Sequence, residues 1–212
     1  MDRVLSMIEQ KESSKSLSEG LHLAIAGNIG VGKTTLVKML AESYSWKPNF
    51  EAVDNNPYLS DFYEDMRKWA FPLQIYFLHS RFNQVLEARQ NQTTIIQDRT
   101  IYEDAYIFAK NLYQSGFLSK RDFENYFSLF RSMCHLIKAP DLLIYLRASV
   151  PKLVKQIAKR GRAYEQDISK QYLEDLNANY ESWISEYCEG KQIIIEAEEL
   201  DFVEKDEDFA FI

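Results

Sequence analysis

Four fixed residues set the chemistry: Gly27, Gly32, Lys33 and Thr34, in the run Gly27-Asn28-Ile29-Gly30-Val31-Gly32-Lys33-Thr34-Thr35. The run fits the pattern G-x-x-x-x-G-K-[ST] and follows the apolar stretch Leu21 to Ala26, as a phosphate loop between a strand and a helix should. Glycines let successive backbone N–H groups turn inward as an anion nest, and the helix that begins near Lys33 adds its positive end. Lys33 can then reach the terminal phosphates of a nucleotide such as ATP, and the Thr34 hydroxyl can join the shell of a Mg²⁺.

Further charged residues fall where such a loop would use them. Glu51 lies in the run Asn49-Phe50-Glu51-Ala52-Val53-Asp54 and can take a proton from an acceptor hydroxyl, although alone it reads as readily as a solvated loop residue. Asp98-Arg99 follows Thr-Thr-Ile-Ile-Gln directly. An acid there can hold a metal ion, and Arg99 can pair with Glu51 or the transferring phosphoryl; helix capping by Asp98 or Thr100 is the plainer alternative. Lys159-Arg160-Gly161-Arg162 has two arginines around a glycine, suited to a basic lid but also to an ordinary helix end.

Two helix faces bear on recognition. Gln74, Phe77 and Arg81 lie at i, i+3 and i+7, and Asp104 and Phe108 at i and i+4. If the faces meet, amide, rings and an Arg–Asp pair surround a flat heterocycle. Surface stripe and core packing explain the same spacings, and periodicity does not separate them.

Strands and helices alternate from Leu21 onward. Strands are expected at Leu21–Ala26, Phe50–Val53, Thr93–Gln97, Asp141–Arg147 and Gln192–Glu196, apolar runs without alternation, as in a parallel sheet covered on both faces. Helices are expected from Lys33, from Pro72, and over Tyr102–Gln114, Ser119–Lys138, Val150–Arg160 and Ser169–Tyr187. The fold class is α/β: a P-loop, three-layer, doubly wound parallel sheet of about five strands flanked by helices, with an arginine-bearing lid. Residues 1–20 read as a polar, weakly structured extension and 21–212 as one domain.

The chain has 212 residues, 46% of them hydrophobic, with a net charge of −7 and no basic stripe, which argues against a nucleic-acid polymer as partner. No stretch is apolar enough to span a membrane, and the first 20 residues lack the features of a secretory or transit signal. Cys134 and Cys188 have no metal or redox spacing and read as reduced thiols of a cytoplasmic protein.

Together these motifs resemble the deoxynucleoside kinase family, with the phosphate loop, Phe-Glu-Ala-Val, Trp-Ala-Phe-Pro-Leu-Gln, Asp-Arg-Thr-Ile-Tyr-Glu-Asp, Asp-Leu-Leu-Ile-Tyr-Leu-Arg and Lys-Arg-Gly-Arg all present. The resemblance implies transfer of the ATP γ-phosphate to the 5′-hydroxyl of a deoxynucleoside. It implies Glu51 as general base, Arg99 beside the reacting hydroxyl and Asp98 beside Mg²⁺. Tyr63 and Glu165 would hold the sugar 3′-hydroxyl, Gln74 would read the base edge, Phe108 would stack on the base, and Arg160 and Arg162 would be the lid cations. Arg81 with Asp104 resembles the purine- and cytosine-preferring members, of the bacterial deoxyadenosine type, and a homodimer joined by helices is implied. Asn56 stands where several members carry a Trp, which leaves room for a purine. The principal alternative is a nucleoside monophosphate kinase of the thymidylate kinase type, which needs more cations for the acceptor's own phosphate. From another class, a nucleotide-gated binding module would lack both base and lid.

Overall fold

The structure is a computed structural model that describes residues 20–51, 56–90, 93–162 and 168–212. Its order is β1 (His22–Gly27), α1 (Lys33–Tyr44), β2 (Lys47–Asn49), α2 (Leu59–Glu64), α3 (Met66–Gln90) and β3 (Ile95–Asp98). Then follow α4, in three joined parts (Ile101–Glu103, Asp104–Ala109 and Lys110–Gln114), α5 (Lys120–Cys134), β4 (Leu142–Arg147) and α6 (Val150–Arg160). The chain ends with α7 (Lys170–Glu186), β5 (Lys191–Glu196) and α8 (Asp206–Phe211).

The five strands form one parallel sheet in the order β2-β3-β1-β4-β5, the doubly wound α/β architecture expected. Along β1 the side chains alternate between two cores. Leu23 and Ile25 join α1 and α6 on one face, while Ala24 and Ala26 leave room on the other for α4 and α7. Parallel pairing sets Ile25 beside Asp98, so the ends of β1 and β3 open side by side.

Three expected boundaries are corrected, and the first is the helix expected over Ser119–Lys138, which ends at Cys134. The second strand is Lys47–Asn49, paired with Ile95–Gln97, and Phe50 and Glu51 come after it. An edge strand is half solvated and tolerates a proline such as Pro48, so it carries no apolar signature. The helix expected to start at Pro72 starts at Met66 and carries Pro72 inside. Asp65 starts it instead, its carboxylate accepting from the Lys68 N–H at 3.2 Å. Buried Ala70, and Trp69 tilted against Tyr58 at 5.9 Å, hold the turn before the proline. Residues 1–19 and 52–55 lie outside the described residues, and with them most of the N-terminal extension and the end of the expected second strand.

Candidate active site

The phosphate loop needs glycine because other chain segments press on it. Gly30 and Gly32 have φ of 86° and 103°, where L side chains are strained. A Cβ on Gly30 would also lie 2.8 Å from Ile157 of α6, and one on Gly32 would lie 2.8 Å from the Phe202 ring. The helix α1 begins at Lys33, so its free N–H groups face the loop's concavity. Lys33 donates to the carbonyls of Gly27 (2.7 Å) and Asn28 (3.0 Å). Burial, aided by Arg99, lowers its pKa to about 8 despite the nearby carboxylates. Asn28 ties the loop to α7, donating to the Leu173 carbonyl (3.0 Å) and the Asn177 side chain (2.6 Å).

Thr100, not Asp98, caps α4: its hydroxyl accepts from the Glu103 N–H, and Glu103 reaches back to complete a capping box. Asp98 is therefore free for the loop, where it accepts from the Thr34 hydroxyl at 2.5 Å. Its other oxygen, Oδ1, is buried without a hydrogen-bond partner among the described residues. A hydroxyl and a carboxylate with an unspent oxygen, side by side, fit the oxygen chemistry of Mg²⁺.

Arg99 is one of two non-glycine residues among those described with positive φ, at 71°. Such strain persists only where surrounding contacts fix it. Here the guanidinium lies 4.1 Å from the Phe108 ring centroid and donates to Glu51 at 2.9 Å. Arg99 thus covers one face of Phe108, a ring that also lines the cavity.

Glu51 Oε1 receives both Arg99 and Arg81, each at 2.9 Å. Burial works to raise its pKa, but Arg99, Arg81, Lys33 and Arg162 together outweigh it and hold the carboxyl below the ordinary range. Arg81 is 1% exposed and spends all its nitrogens on the protein. Nε donates to Asp104 (2.9 Å), NH2 to Glu51 (2.9 Å), and NH1 to the carbonyls of Asp98 (2.9 Å) and Arg99 (3.3 Å). The expected Arg81–Asp104 pair is present, but Arg81 stands behind the cavity rather than in it. Burial pushes the Asp104 carboxyl up to about 6 against the pull of Arg81 and Arg99.

One cavity gathers most of the expected residues. Ile29, Gly30, Lys33 and Thr34 form its phosphate end, with Glu51 and Arg99 at the centre. Tyr63, Gln74, Phe77, Asp104 and Phe108 line the other end, and Arg160 and Arg162 are also in its lining. Gln74 is buried, and its Oε1 has no hydrogen-bond partner among the described residues. Gly161, at φ 67°, ends α6 in the left-handed turn that separates the two arginines. The π-helical turns over Asp104–Ala109 bring Asp104 and Phe108 to the same wall. Glu165 lies outside the described residues. Asn56 does not line the cavity; its Oδ1 accepts from the Tyr58 N–H at 2.9 Å. The sequence reading missed the apolar lining of Leu59, Phe62, Leu73, Leu112 and Ile168, and Tyr172. Leu73–Phe77 and Phe108–Leu112 at i, i+4 carried that signal.

A family model described as Deoxynucleoside kinase matches residues 23–212. The chain is 43% identical over 165 residues to a deoxyadenosine/deoxycytidine kinase of Bacillus subtilis (strain 168), covering 77% of this chain and 76% of that protein. It is 44% identical over 172 residues to a deoxyadenosine kinase of Dictyostelium discoideum, covering 81% and 69%. The structure of a deoxyadenosine kinase from M. mycoides with bound dATP matches with a TM-score of 0.79 at 33% identity, over 88% of this chain and 96% of that one.

Proposed function

The chain belongs to the deoxynucleoside kinase family, and from that premise we propose which of its residues carry the phosphoryl transfer and which acceptor it prefers. It is a phosphotransferase acting on deoxynucleosides. Membership does not favour the monophosphate-kinase alternative, and the site supplies a reason. Arg81, the chief acceptor-side cation, has every nitrogen engaged by the protein and none left for a second phosphate.

In the proposed mechanism Glu51 accepts the 5′-hydroxyl proton. Its two arginines keep it ionised and aimed, and they make it a weak base suited to receive that proton late, as the O–P bond forms. Arg99 lies between base and phosphoryl path. Lys33, Arg160 and Arg162 carry the charge that gathers on the transferring group, while the N–H groups of Gly27 to Thr35 hold the ATP phosphates. Thr34 and Asp98 would hold Mg²⁺, which neutralises phosphate charge when bound. Tyr63 and Glu165 are assigned to the sugar.

Deoxyadenosine is the preferred acceptor in this reading, and the single observation that carries it is Asp104. A buried carboxylate, fixed by Arg81 and facing the cavity beside the unpaired Gln74 Oε1, wants an amino donor. Adenine offers one on its edge, as cytosine does, so deoxycytidine is the second acceptor; thymine offers a carbonyl and a methyl group. Phe108 and Phe77 supply flat apolar walls. The domain is taken as 21–212 after a polar extension. Half-exposed aromatic side chains on α5, with Leu129 of that helix 40% exposed and Leu136 in the turn after it 65% exposed, support a homodimer through this face. Two free cysteines support a cytoplasmic setting. No helix among the described residues is long and apolar enough to cross a membrane.

The test is ADP release with ATP and Mg²⁺ against deoxyadenosine, deoxyguanosine, deoxycytidine, thymidine and thymidine monophosphate. Highest kcat/KM on deoxyadenosine, with thymidine poor, is expected. Equal turnover of thymidine would remove Asp104 as the selector.

A further inference from the structure

Behind the phosphate loop lies a second polar cluster that the transfer mechanism does not use. Glu103 and Tyr180 are both fully buried, on α4 and α7. Glu103 Oε2 accepts from the Thr100 N–H (2.7 Å) and hydroxyl (3.2 Å), and Oε1 from the Gly27 N–H (3.3 Å). The Tyr180 hydroxyl lies 2.8 Å from Glu103 Oε1 and 2.8 Å from the Gly27 carbonyl.

Counting hydrogens decides the arrangement. Tyr180 has one hydrogen for two oxygen neighbours, and a carbonyl brings none. Thr100 donates its hydroxyl to Oε2 while its oxygen accepts from the Glu103 N–H. Every short contact then holds a hydrogen only if Glu103 is a carboxylic acid with its proton on Oε1. That proton goes to Tyr180, and Tyr180 donates to Gly27. Burial supports the neutral form by raising the Glu103 pKa, although Arg99, Lys33 and the hydrogen bonds with the Thr100 N–H and Tyr180 pull the other way. Asp104 and Arg81 also act on this cluster, and Tyr145 stacks on Tyr180 at 5.6 Å.

The position of the cluster gives it a task. Gly27 is the first residue of the phosphate loop, and its N–H and carbonyl are both held. Its carbonyl also receives Lys33, which must leave to meet a nucleotide's phosphates. A buried carbonyl that loses its donor is costly unless another stays in place. We propose that protonated Glu103 and Tyr180 are positioning residues that fix Gly27 against α4 and keep its carbonyl satisfied when Lys33 moves to the nucleotide. A neutral acid at this point also spares the incoming triphosphate a buried negative neighbour.

This rests on reading Gly27–Thr35 as the nucleotide phosphate site, which ADP binding to the unaltered enzyme checks by itself. The test compares Tyr180→Phe, Glu103→Gln and Glu103→Ala by calorimetric ADP binding, by deoxyadenosine binding without nucleotide, and by KM for ATP. Tyr180→Phe and Glu103→Ala should weaken ADP and raise the ATP KM about tenfold, as loss of one buried hydrogen bond does, and leave deoxyadenosine binding unchanged. Glu103→Gln, which presents a donor to Tyr180 and an acceptor to Thr100 but gives up the long contact from the Gly27 N–H (3.3 Å), should stay within about threefold of the parent, since only that weakest contact is lost. Three results would overturn the proposal: unchanged ADP affinity in Tyr180→Phe, a Glu103→Gln variant as weak as Glu103→Ala, or equal weakening of both ligands. If Glu103→Ala does not fold, Tyr180→Phe still decides. Absence of ADP binding to the unaltered enzyme would refute the phosphate-site reading itself.

Discussion

Replacing Arg81 by leucine should cost stability in a way that depends on pH, and the dependence follows from where its partners stand. The substitution leaves Asp104, 2% exposed, without its ion-pair partner, and strips a donor from two backbone carbonyls. Glu51 keeps Arg99 and suffers less. Breaking a buried pair from one side costs about 3–5 kcal/mol. In a domain of this size that lowers Tm by about 6–20 °C, at roughly 2–4 °C per kcal/mol. Asp104 has one escape, which is to take a proton. Burial already raises its pKa to about 6, and without Arg81 it rises further, each unit being worth about 1.4 kcal/mol. The penalty should therefore be largest at pH 8 and shrink toward pH 5, where the carboxyl is protonated with or without Arg81. Asp104→Asn should cost less, because Arg81 retains Glu51 and the carbonyls, and the double variant should fall short of the sum by about 1–3 kcal/mol. Urea unfolding of all four proteins at pH 5 and pH 8 measures each term. Additive losses, or a loss for Arg81→Leu that is the same at both pH values, would refute the pairing of Arg81 with a buried, ionised Asp104.

The remaining expectations concern turnover. Glu51→Gln should lower kcat by about 10²–10⁴, the range of a positioned general base, with ADP affinity little changed; near-normal kcat would remove Glu51 as the base. Because Arg99 and Arg81 hold the Glu51 carboxyl below its ordinary value, it stays ionised down to acid pH and does not limit the rate near pH 5. Asp104, raised to about 6, loses its charge first as pH falls. Relative to deoxyguanosine or thymidine, kcat/KM for deoxyadenosine should fall about tenfold from pH 7 to pH 5, the loss of ionised fraction for one such group. Parallel pH profiles for all acceptors would rule out Asp104 as the reader of the amino group.

How much of this was legible in the sequence depends on whether the signal was local. The phosphate loop, the Asp98–Arg99 step after a strand and the α6 boundaries Val150–Arg160 were readable because spacing along the chain fixes them. The edge strand Lys47–Asn49 was not, since its pairing with Ile95–Gln97 is made by backbone groups and leaves no side-chain pattern. Pro72 misled for a related reason: a proline is a strong local signal for a helix start, and the Asp65 cap upstream outweighed it. Arg81, Gln74 and Phe77 shared a face, but periodicity could not say that Arg81 would be consumed behind the cavity while the other two would line it. That depended on Glu51 and Asp104 arriving from two other segments.

The same distinction explains why Glu103 was invisible at first. In sequence it is one more acid in Tyr-Glu-Asp, next to a residue with an evident role. Only the fold brings Tyr180 from 77 residues away and Gly27 from 76 to its two sides. A site read from motifs contains the groups that face the ligand. The groups that hold those motifs in register come from distant segments, and here they converge on both polar atoms of one glycine backbone. A catalytic constellation set on several loops stays within tolerance only if such supports are themselves fully hydrogen-bonded. In this chain that condition is met by a proton, on a carboxyl group that the charge state usual for glutamate would leave empty.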